Sequence, residues 1–342
     1  MRYQFALALW GRQFLDYFFD VALPTWMTTG NLLGFASREA ELDLYTTALE
    51  ADEIQRSPKL SALAAFMPIR ISVITGVEFP SGRDSSKYQL MTQIHRMAIT
   101  RADENNAAIF FLGPDVAFAD GTLARARELL ENGKRLVMIG SMRVSSAGFI
   151  AEVKRRFNPR GTVAAQLSPR DMVDLIVRQP HVGNATFTWG NSELVNWPSH
   201  LYFPVGDEGF VQRGFHLHPL AINAERRGLM PGDSVDGAWL TEIVPDQNDW
   251  HIIQDSDEGY AVDFGARPER LMPARVRADP LLHVASWARH HTKPLQWWLA
   301  QHPVMVHRTP LSPRWTSVTD ASAAALASIL EKIPTAPGWV QE

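Results

Sequence analysis

The most informative stretch of the sequence is Ala107-Ala108-Ile109-Phe110-Phe111-Leu112-Gly113-Pro114-Asp115. Its first six residues are uninterruptedly apolar, which is typical of a strand covered on both sides in a parallel sheet. The Gly-Pro pair predicts a turn immediately after this strand. In sheets of this kind, ligands bind beyond the carboxyl ends of the strands. We therefore expect Asp115 to lie at the functional edge of the sheet, although a carboxylate here could also serve only the turn.

Strand and helix signals alternate on both sides of this stretch. Alternation of this kind predicts an α/β fold: a mostly parallel, Rossmann-like central sheet with helices on both faces. The predicted strands are Tyr3–Trp10, Glu41–Thr47, Ile69–Thr75, Ala107–Leu112 and Arg135–Ile139. The predicted helices of this half are Arg12–Met27, bent or ended by Pro24, then Ser85–Asn106 and Thr122–Asn132.

The second half of the chain is less regular. Helices are predicted at Ser168–Arg178, at Leu281–His302 with a break at Pro294, and at Ala321–Lys332. Short strand-like runs and turns fill residues 185–264. We predict an α/β half at 1–145, continuous with a mixed half at 146–342.

Composition excludes several classes of protein. The 342 residues carry a formal net charge of −4, with basic and acidic residues interleaved, which argues against a partner bound through phosphate contacts such as nucleic acid. There is no cysteine, so disulfides and thiolate chemistry are excluded. No window reaches the roughly 18 apolar residues of a membrane span, and no cleavage site follows the apolar N-terminus, so a cytoplasmic protein is expected. The sequence motifs of dinucleotide-binding, P-loop and serine-hydrolase proteins are absent.

The order of elements over residues 3–145, with an apolar strand ending in an acidic turn, resembles the GT-A glycosyltransferases. In that family an Asp-x-Asp turn binds a metal ion and the diphosphate of a nucleotide-sugar donor. Here the corresponding triplet is Gly113-Pro114-Asp115, so Gly113 stands where the family has its first aspartate. The resemblance implies a metal-assisted transfer of a sugar to a glycan or other hydroxyl acceptor, as in polysaccharide biosynthesis. It also implies Asp115 as a ligand of Mn²⁺ or Mg²⁺ and of the donor.

A downstream histidine often completes the metal site of such enzymes, and this suggests His216 and His218. In a strand the two side chains share one face, because the period is two residues. A pair of half-buried histidines bonded to the backbone is the alternative. Inverting transfer also needs a general base, for which Asp207, Glu208 and Asp236 are candidates. Asp236 is slightly favoured by its apolar neighbours.

Basic and hydroxyl side chains near the predicted strand ends are candidates for contacting the donor. Arg143 is the best placed of the basic residues, because it follows the fifth strand. The full set is Lys87, Arg96, Arg143 and Arg213 for the diphosphate, with Thr46 and Thr47 for the nucleotide.

Two further segments have plainer interpretations. Asp255-Ser256-Asp257-Glu258-Gly259 resembles the opening of a calcium loop, but its twelfth position is Ala266 instead of glutamate, so an exposed turn is favoured. The aromatic segment from Trp287 to Trp298 suits a helix pair packed on a sheet. Contact with a membrane surface, or stacking on an acceptor sugar, are alternatives for it.

A glycosyltransferase is therefore the leading hypothesis for the function. The missing first aspartate leaves open a catalytically inactive domain that binds a glycan or a partner protein. A nucleotidyltransferase is a second alternative, but such enzymes have a Gly- and Arg-rich loop after the first strand. Here that position holds Trp10-Gly11-Arg12-Gln13-Phe14.

Overall fold

The computed structural model describes residues 1–36, 38–75, 85–232, 234–264, 273–275 and 279–335, without the side chains of 85–87, 273–275 and 335. The strands are β1 Arg2–Ala8, β2 Ala40–Thr47, β3 Ile69–Ile74, β4 Ala107–Leu112, β5 Val116–Phe118, β6 Leu136–Ile139, β7 Ser141–Val144, β8 Glu193–Val195, β9 His200–Pro204, β10 Gly209–Gly214, β11 His218–Ile222, β12 Trp250–Ile252, β13 Ala261–Phe264, β14 Pro273–Arg275 and β15 Val304–His307. The α-helices are α1 Arg12–Tyr17, α2 Leu23–Trp26, α3 Ala51–Gln55, α4 Pro58–Ala64, α5 Ser85–Glu104, α6 Thr122–Glu131, α7 Ser146–Arg156, α8 Pro169–Arg178, α9 Trp239–Ile243, α10 Pro280–His291, α11 Pro294–Ala300 and α12 Arg314–Lys332.

The chain divides into two compact units. The first unit contains Met1–Ile139, Ile150–Ser168 and His218–Ile252, and the second contains Gly140–Phe149, Pro169–Leu217 and Ile253–Glu342. Each unit is therefore assembled from three separate segments of sequence. The division at residue 145 stays a prediction.

The first unit is built on a seven-stranded sheet with the order β12-β6-β11-β4-β1-β2-β3. Four neighbouring pairs are parallel, namely β1 with β2, β1 with β4, β2 with β3, and β6 with β12. Only β11 is antiparallel to its neighbours β4 and β6. All six residues of β4 are buried, as its apolar run predicts. The predicted α/β fold with a mostly parallel sheet is confirmed.

Helices cover both faces of this sheet, as two neighbouring residues of β1 show. Successive side chains of a strand point to opposite faces. The Tyr3 hydroxyl donates to Glu131 in α6 at 2.7 Å, while Gln4 donates its amide to the carbonyl of Ala98 in α5 at 2.8 Å. The two helices therefore lie on opposite faces of β1.

The strand order locates the crevice in which a ligand is expected to bind. The chain runs outward from β1 through β2 to β3, and then returns to place β4 on the other side of β1. The direction of the connections thus reverses between β1 and β4. Ligands of open parallel sheets bind outside the carboxyl ends of the strands at such a reversal. The segments that follow Ala8 and Leu112 border this crevice.

The predicted helix Arg12–Met27 is interrupted. After α1, residues Phe18–Ala22 form a π-helical turn, and α2 follows with Pro24 at its start. Proline has no N–H to donate to the preceding turn, and the wider π turn accommodates this missing bond.

The second unit packs three helices on an antiparallel sheet of order β15-β10-β9. Trp287 of α10 is fully buried in its core, 5.4 Å from the ring of Phe215, and Trp297 of α11 packs on the same ring at 5.0 Å. These contacts match the prediction that the aromatic segment forms a helix pair on a sheet. None of the helices in the described residues combines the length and the apolar character needed to cross a membrane.

Candidate active site

The turn after β4 places Asp115 at the crevice edge of the first unit. The N–H of Val116 donates to the carbonyl of Gly113 at 3.1 Å, which closes a four-residue turn over Pro114 and Asp115. Proline suits the second position of such a turn because its φ is already correct. Asp115 is half-buried beyond the end of the strand, as the sequence predicts.

Other side chains fill the space beside Gly113. A Cβ atom on Gly113 would lie 2.8 Å from Cγ2 of Val116 and 3.2 Å from a carboxylate oxygen of Asp115. The Asp115 carboxylate thus occupies the space beside Gly113. A second carboxylate at residue 113 would compete for that space and would repel Asp115. This turn is shaped around one carboxylate.

His218 lies at the same edge of the sheet. Ala221 pairs with Phe110 and Ile222 with Ile109 in the antiparallel ladder, so the start of β11 meets the carboxyl end of β4. The Nε2 atom of His218 is 2.8 Å from the carbonyl oxygen of Phe111. Because a carbonyl only accepts, Nε2 carries a proton and Nδ1 keeps its lone pair in the neutral ring. The surrounding protein desolvates this ring and lowers the pKa of His218.

The prediction that His216 and His218 share one face of a strand is wrong. β10 ends at Gly214, Phe215 and His216 form a bend, and β11 begins only at His218. A Cβ atom on Gly214 would lie 2.8 Å from Cδ2 of Leu217, so glycine permits the tight return of the chain. His216 belongs to the second unit. The role of each histidine as a metal ligand stays a prediction.

His95 of α5 joins this edge of the first unit. Its ring packs edge-on against Phe111, with 5.0 Å between ring centroids. Burial, and secondarily the charge that His218 can carry, lower the pKa of His95 to about 4, so its ring is neutral at pH 7. In the sequence, His95 follows Ile94 and precedes Ala98 by three residues, so it stands among apolar positions of this helix. A polar ring among apolar positions was the available signal.

Asp236 is close to both imidazoles. Its negative charge acts to raise the pKa of His95 and of His218, against the larger effect of burial. Ser234 donates its hydroxyl to the Asp236 carboxylate. Arg96 of α5 fixes the start of this loop through bonds of 2.9 and 2.7 Å to the carbonyls of residues 231 and 232. The favoured candidate for the base therefore lies beside the histidines at the end of β4.

The end of β2 offers two hydroxyl groups. Thr46 is fully buried, and its Oγ1 atom has no hydrogen-bond partner within the part of the chain that the structure describes. Thr47 donates its hydroxyl to Glu50, whose other oxygen accepts the N–H of Gly11 at 3.0 Å. Glu50 thus joins the segments that follow β1 and β2. The predicted contacts of both threonines with a nucleotide are untested.

Three of the predicted residues belong to the second unit and are engaged there. Arg308 binds Asp207 at 2.9 Å, and Ser312 and Trp315 donate to Glu208 at 2.8 to 3.0 Å. Arg143 pairs with Asp263 at 2.7 Å. The side chain of Lys87 lies outside the described residues. The functional roles of these residues stay predictions.

No protein-family profile and no curated protein matches the chain. Solved structures do match. A structure of residues 1–349 of TarS from S. aureus shares 10% identity, covers 96% of this chain and 71% of that one, and has a TM-score of 0.38. A longer TarS structure shares 12% identity with a TM-score of 0.27, and the matched region spans 42% of this chain but only 22% of that chain.

Two further matches carry the names of sugar transferases. The mannosyltransferase PcManGT from Pyrobaculum calidifontis, solved with GDP-Man and Mn²⁺, shares 12% identity over 98% of this chain and 76% of that one, with a TM-score of 0.36. Apo mouse xyloside xylosyltransferase 1 shares 15% identity over 47% of this chain and 60% of that one, with a TM-score of 0.28. With every TM-score below 0.5, these likenesses by themselves fix neither activity nor substrate.

Proposed function

We propose that this protein is a glycosyltransferase that binds a nucleotide-sugar donor in the crevice of the first unit. The observation that carries the proposal is that the segments bearing Asp115, His218 and Asp236 all lie near the carboxyl end of β4. They come from three separate parts of the sequence. Two carboxylates and an imidazole at the reversal point of a parallel sheet form a polar, anionic edge where such folds bind their ligands.

The donor set at this edge fits a hard divalent cation. Mg²⁺ is typically held by one or two carboxylates together with the phosphates of the substrate, and Mn²⁺ also accepts imidazole. Asp115 supplies the carboxylate, and Nδ1 of His218 is the ring nitrogen not bonded to Phe111. A bound cation of this kind would neutralise charge on a leaving diphosphate.

Asp236 is the residue we assign as general base toward the acceptor hydroxyl. Its pairing with neutral histidines matters for this role, because a neutral ring does not hold the carboxylate in an ion pair. Burial keeps the pKa of His95 near 4. General-base catalysis by a positioned carboxylate contributes about 10²- to 10⁴-fold to a rate.

Nucleotide binding tests the donor site. We expect UDP, GDP or CMP to bind in calorimetry with Mn²⁺ present, and Asp115→Ala to weaken that binding at least about tenfold, by loss of a charge-assisted contact. Asp52→Ala is the matched control, because it removes an exposed carboxylate of α3 that pairs only with Arg56 among the described residues. If no nucleotide binds, or if Asp115→Ala binds as the wild type does, the proposal fails.

Turnover separates an enzyme from an inactive binding domain. With the donor that binds, slow hydrolysis or transfer to an acceptor should disappear in Asp115→Ala. Asp236→Asn should keep nucleotide affinity and lose transfer by about 100-fold or more. A chain that binds a glycan but neither binds nor cleaves any nucleotide sugar would instead support the non-enzymatic alternative.

A further inference from the structure

Three potential metal ligands meet in the second unit. Asp255 and Asp257 lie in the turn that precedes β13, and His307 is the last residue of β15. Their ligand atoms all lie within 4.8 Å of one another. The Nε2 atom of His307 is 2.8 Å from Oδ1 of Asp255 and 3.9 Å from Oδ2 of Asp257.

Both ring nitrogens of His307 face oxygen atoms that only accept hydrogen bonds. Its Nδ1 atom is 2.7 Å from the carbonyl oxygen of Thr309, which only accepts, so Nδ1 carries the proton of the neutral ring. The Nε2 lone pair then faces the Asp255 oxygen, and two acceptors at 2.8 Å repel each other. A cation between them removes the repulsion, and it is either a second proton on the ring or a metal ion.

The surroundings of His307 favour a metal ion over a second proton on its ring. The His307 side chain is only 3% exposed, whereas both carboxylates are reachable from solvent. A ring nitrogen held by a backbone carbonyl is the usual outer support of a histidine metal ligand. Arg170 donates to both oxygens of Asp257, at 2.8 Å in the shortest contact, and so holds that carboxylate in place beside His307.

The turn that carries the carboxylates is fixed before any ion binds. Ser256 is fully buried; its N–H donates to the carbonyl of Met305 at 2.9 Å, and its hydroxyl accepts the N–H of His307 at 3.0 Å. Oδ1 of Asp255 also accepts the N–H of Asp257 at 2.8 Å. These bonds hold the turn against the end of β15. Binding of an ion would therefore cost little further conformational entropy.

We propose that Asp255, Asp257 and His307 form a binding site for a divalent transition-metal ion, with Zn²⁺ as the ion that fits best. Bonds of about 2.0–2.2 Å place the ligands of a tetrahedral ion about 3.4 Å apart, which lies between the 2.8 and 3.9 Å that separate Nε2 of His307 from the two carboxylates. Three protein ligands leave the fourth position to water on the exposed side. Calcium is disfavoured, because it requires six to eight oxygen ligands.

Zinc titration of the full chain, stripped with EDTA, tests this site. We expect wild-type protein to bind Zn²⁺ in calorimetry and its Tm to rise by several degrees at about 100 times the Kd. His307→Gln and Asp257→Asn should each weaken this binding by more than about 100-fold. Loss of a residue that only supports a metal ligand costs about 10- to 100-fold, so a larger loss indicates a direct ligand. The second variant leaves the buried ring in place, so it stays informative if His307→Gln does not fold.

Two further variants separate this site from the proposed donor site. Asp115→Ala should keep the zinc affinity of the second unit, whatever happens to nucleotide binding. His302→Gln removes a histidine of the same unit that bonds only to the carbonyl of Trp298 among the described residues, and it should bind as the wild type does. Failure of the wild type to bind Zn²⁺ more tightly than about 100 μM, or undiminished binding in Asp257→Asn, would overturn the site.

Discussion

Gly113 shows how one residue determines the chemistry of the turn after β4. Restoring the family pattern with Gly113→Asp should not improve donor binding. The new Cβ would lie 2.8 Å from Val116, and the new charge would lie beside Asp115. Overpacking of this size costs about 1–3 kcal/mol of unfolding free energy. We expect a lower urea midpoint and weaker Mn²⁺-dependent nucleotide binding, measured by denaturation and calorimetry.

Two controls distinguish crowding from charge in this experiment. Gly113→Ala adds only the methyl group and should reproduce the loss of stability without the electrostatic effect. Adding Val116→Ala should restore most of the stability of Gly113→Ala, because it removes the atom that the new Cβ contacts. A Gly113→Asp protein that binds nucleotide more tightly than the wild type would show that the turn can hold two carboxylates.

Sequence proximity decided which site residues could be found in advance. Asp115 was found because the strand before it and the turn around it are local signals. His218 and Asp236 were named as candidates, but the sequence did not show that both lie near His95. Asp255 and Asp257 were interpreted as an exposed turn, because the residue that completes their cluster, His307, is about 50 positions away.

The buried cation of Arg213 connects β10 to the helices α11 and α12. The sequence suggested a diphosphate ligand. The structure instead buries its guanidinium, which donates to the carbonyls of Gln301 and Thr319 at the ends and turns of α11 and α12, and to the hydroxyl of Ser322 at 2.9 Å. Burial lowers the pKa of Arg213 to about 10, so it stays charged at neutral pH.

Arg213→Lys should therefore destabilise the helices of the second unit. Lysine keeps the charge but cannot reach the same acceptors with a planar fork, and each lost bond to a charged donor costs about 1.5–3 kcal/mol. We expect the free energy of unfolding, measured by urea denaturation, to fall by about 2–4 kcal/mol. Amide hydrogen exchange in α11 and α12 should become faster. Arg289→Lys, at an exposed position of α10, should change stability by less than about 0.5 kcal/mol. Equal effects of the two substitutions would argue against this bracing role.

Elements with a strong apolar pattern were predicted closely. β2, β4 and β6 begin and end within a residue of their predicted bounds, because each has an apolar pattern bounded by polar or turn residues. α12 begins at Arg314, seven residues before its predicted start, because polar residues dominate its first two turns and only Trp315 is buried there. The bend of helix Arg12–Met27 at Pro24 was predicted, but the π turn before it was not, since a π turn has no signature in the apolar spacing.

At the scale of the whole molecule, the order of the strands in the sheet determines where ligands are expected to bind. Local patterns predicted strands and helices but not the strand order, and it is the order that places β4 beside β1. The same holds for β11, which enters the sheet from a distant part of the chain and places His218 at the carboxyl end of β4. Antiparallel insertion of one late strand therefore brings His218 to the sheet edge at which the first half of the chain places Asp115.

Buried neutral histidines make the stability of the protein depend on pH. Burial lowers the pKa of both His95 and His200 from 6.5 to about 4. Between these values the unfolded chain binds protons that the folded chain does not, so stability falls as the pH drops from about 6.5 to 4. Each ring accounts for a loss on the order of 2–3 kcal/mol at pH 4.5. Burial lowers the pKa of His181, His218 and His291 in the same direction.

Urea denaturation followed by tryptophan fluorescence at pH 7.5, 6.5, 5.5 and 4.5 measures this dependence. We expect His200→Gln to lower stability at pH 7.5 and to reduce the fall toward pH 4.5 by about 2 kcal/mol, because one proton-binding difference is removed. The change in slope is the informative quantity, since it does not depend on how well glutamine packs. His290→Gln, at an exposed position of α10, should leave the slope unchanged. A wild-type stability that is flat from pH 6.5 to 4.5 would mean that these rings become protonated in the folded protein without cost.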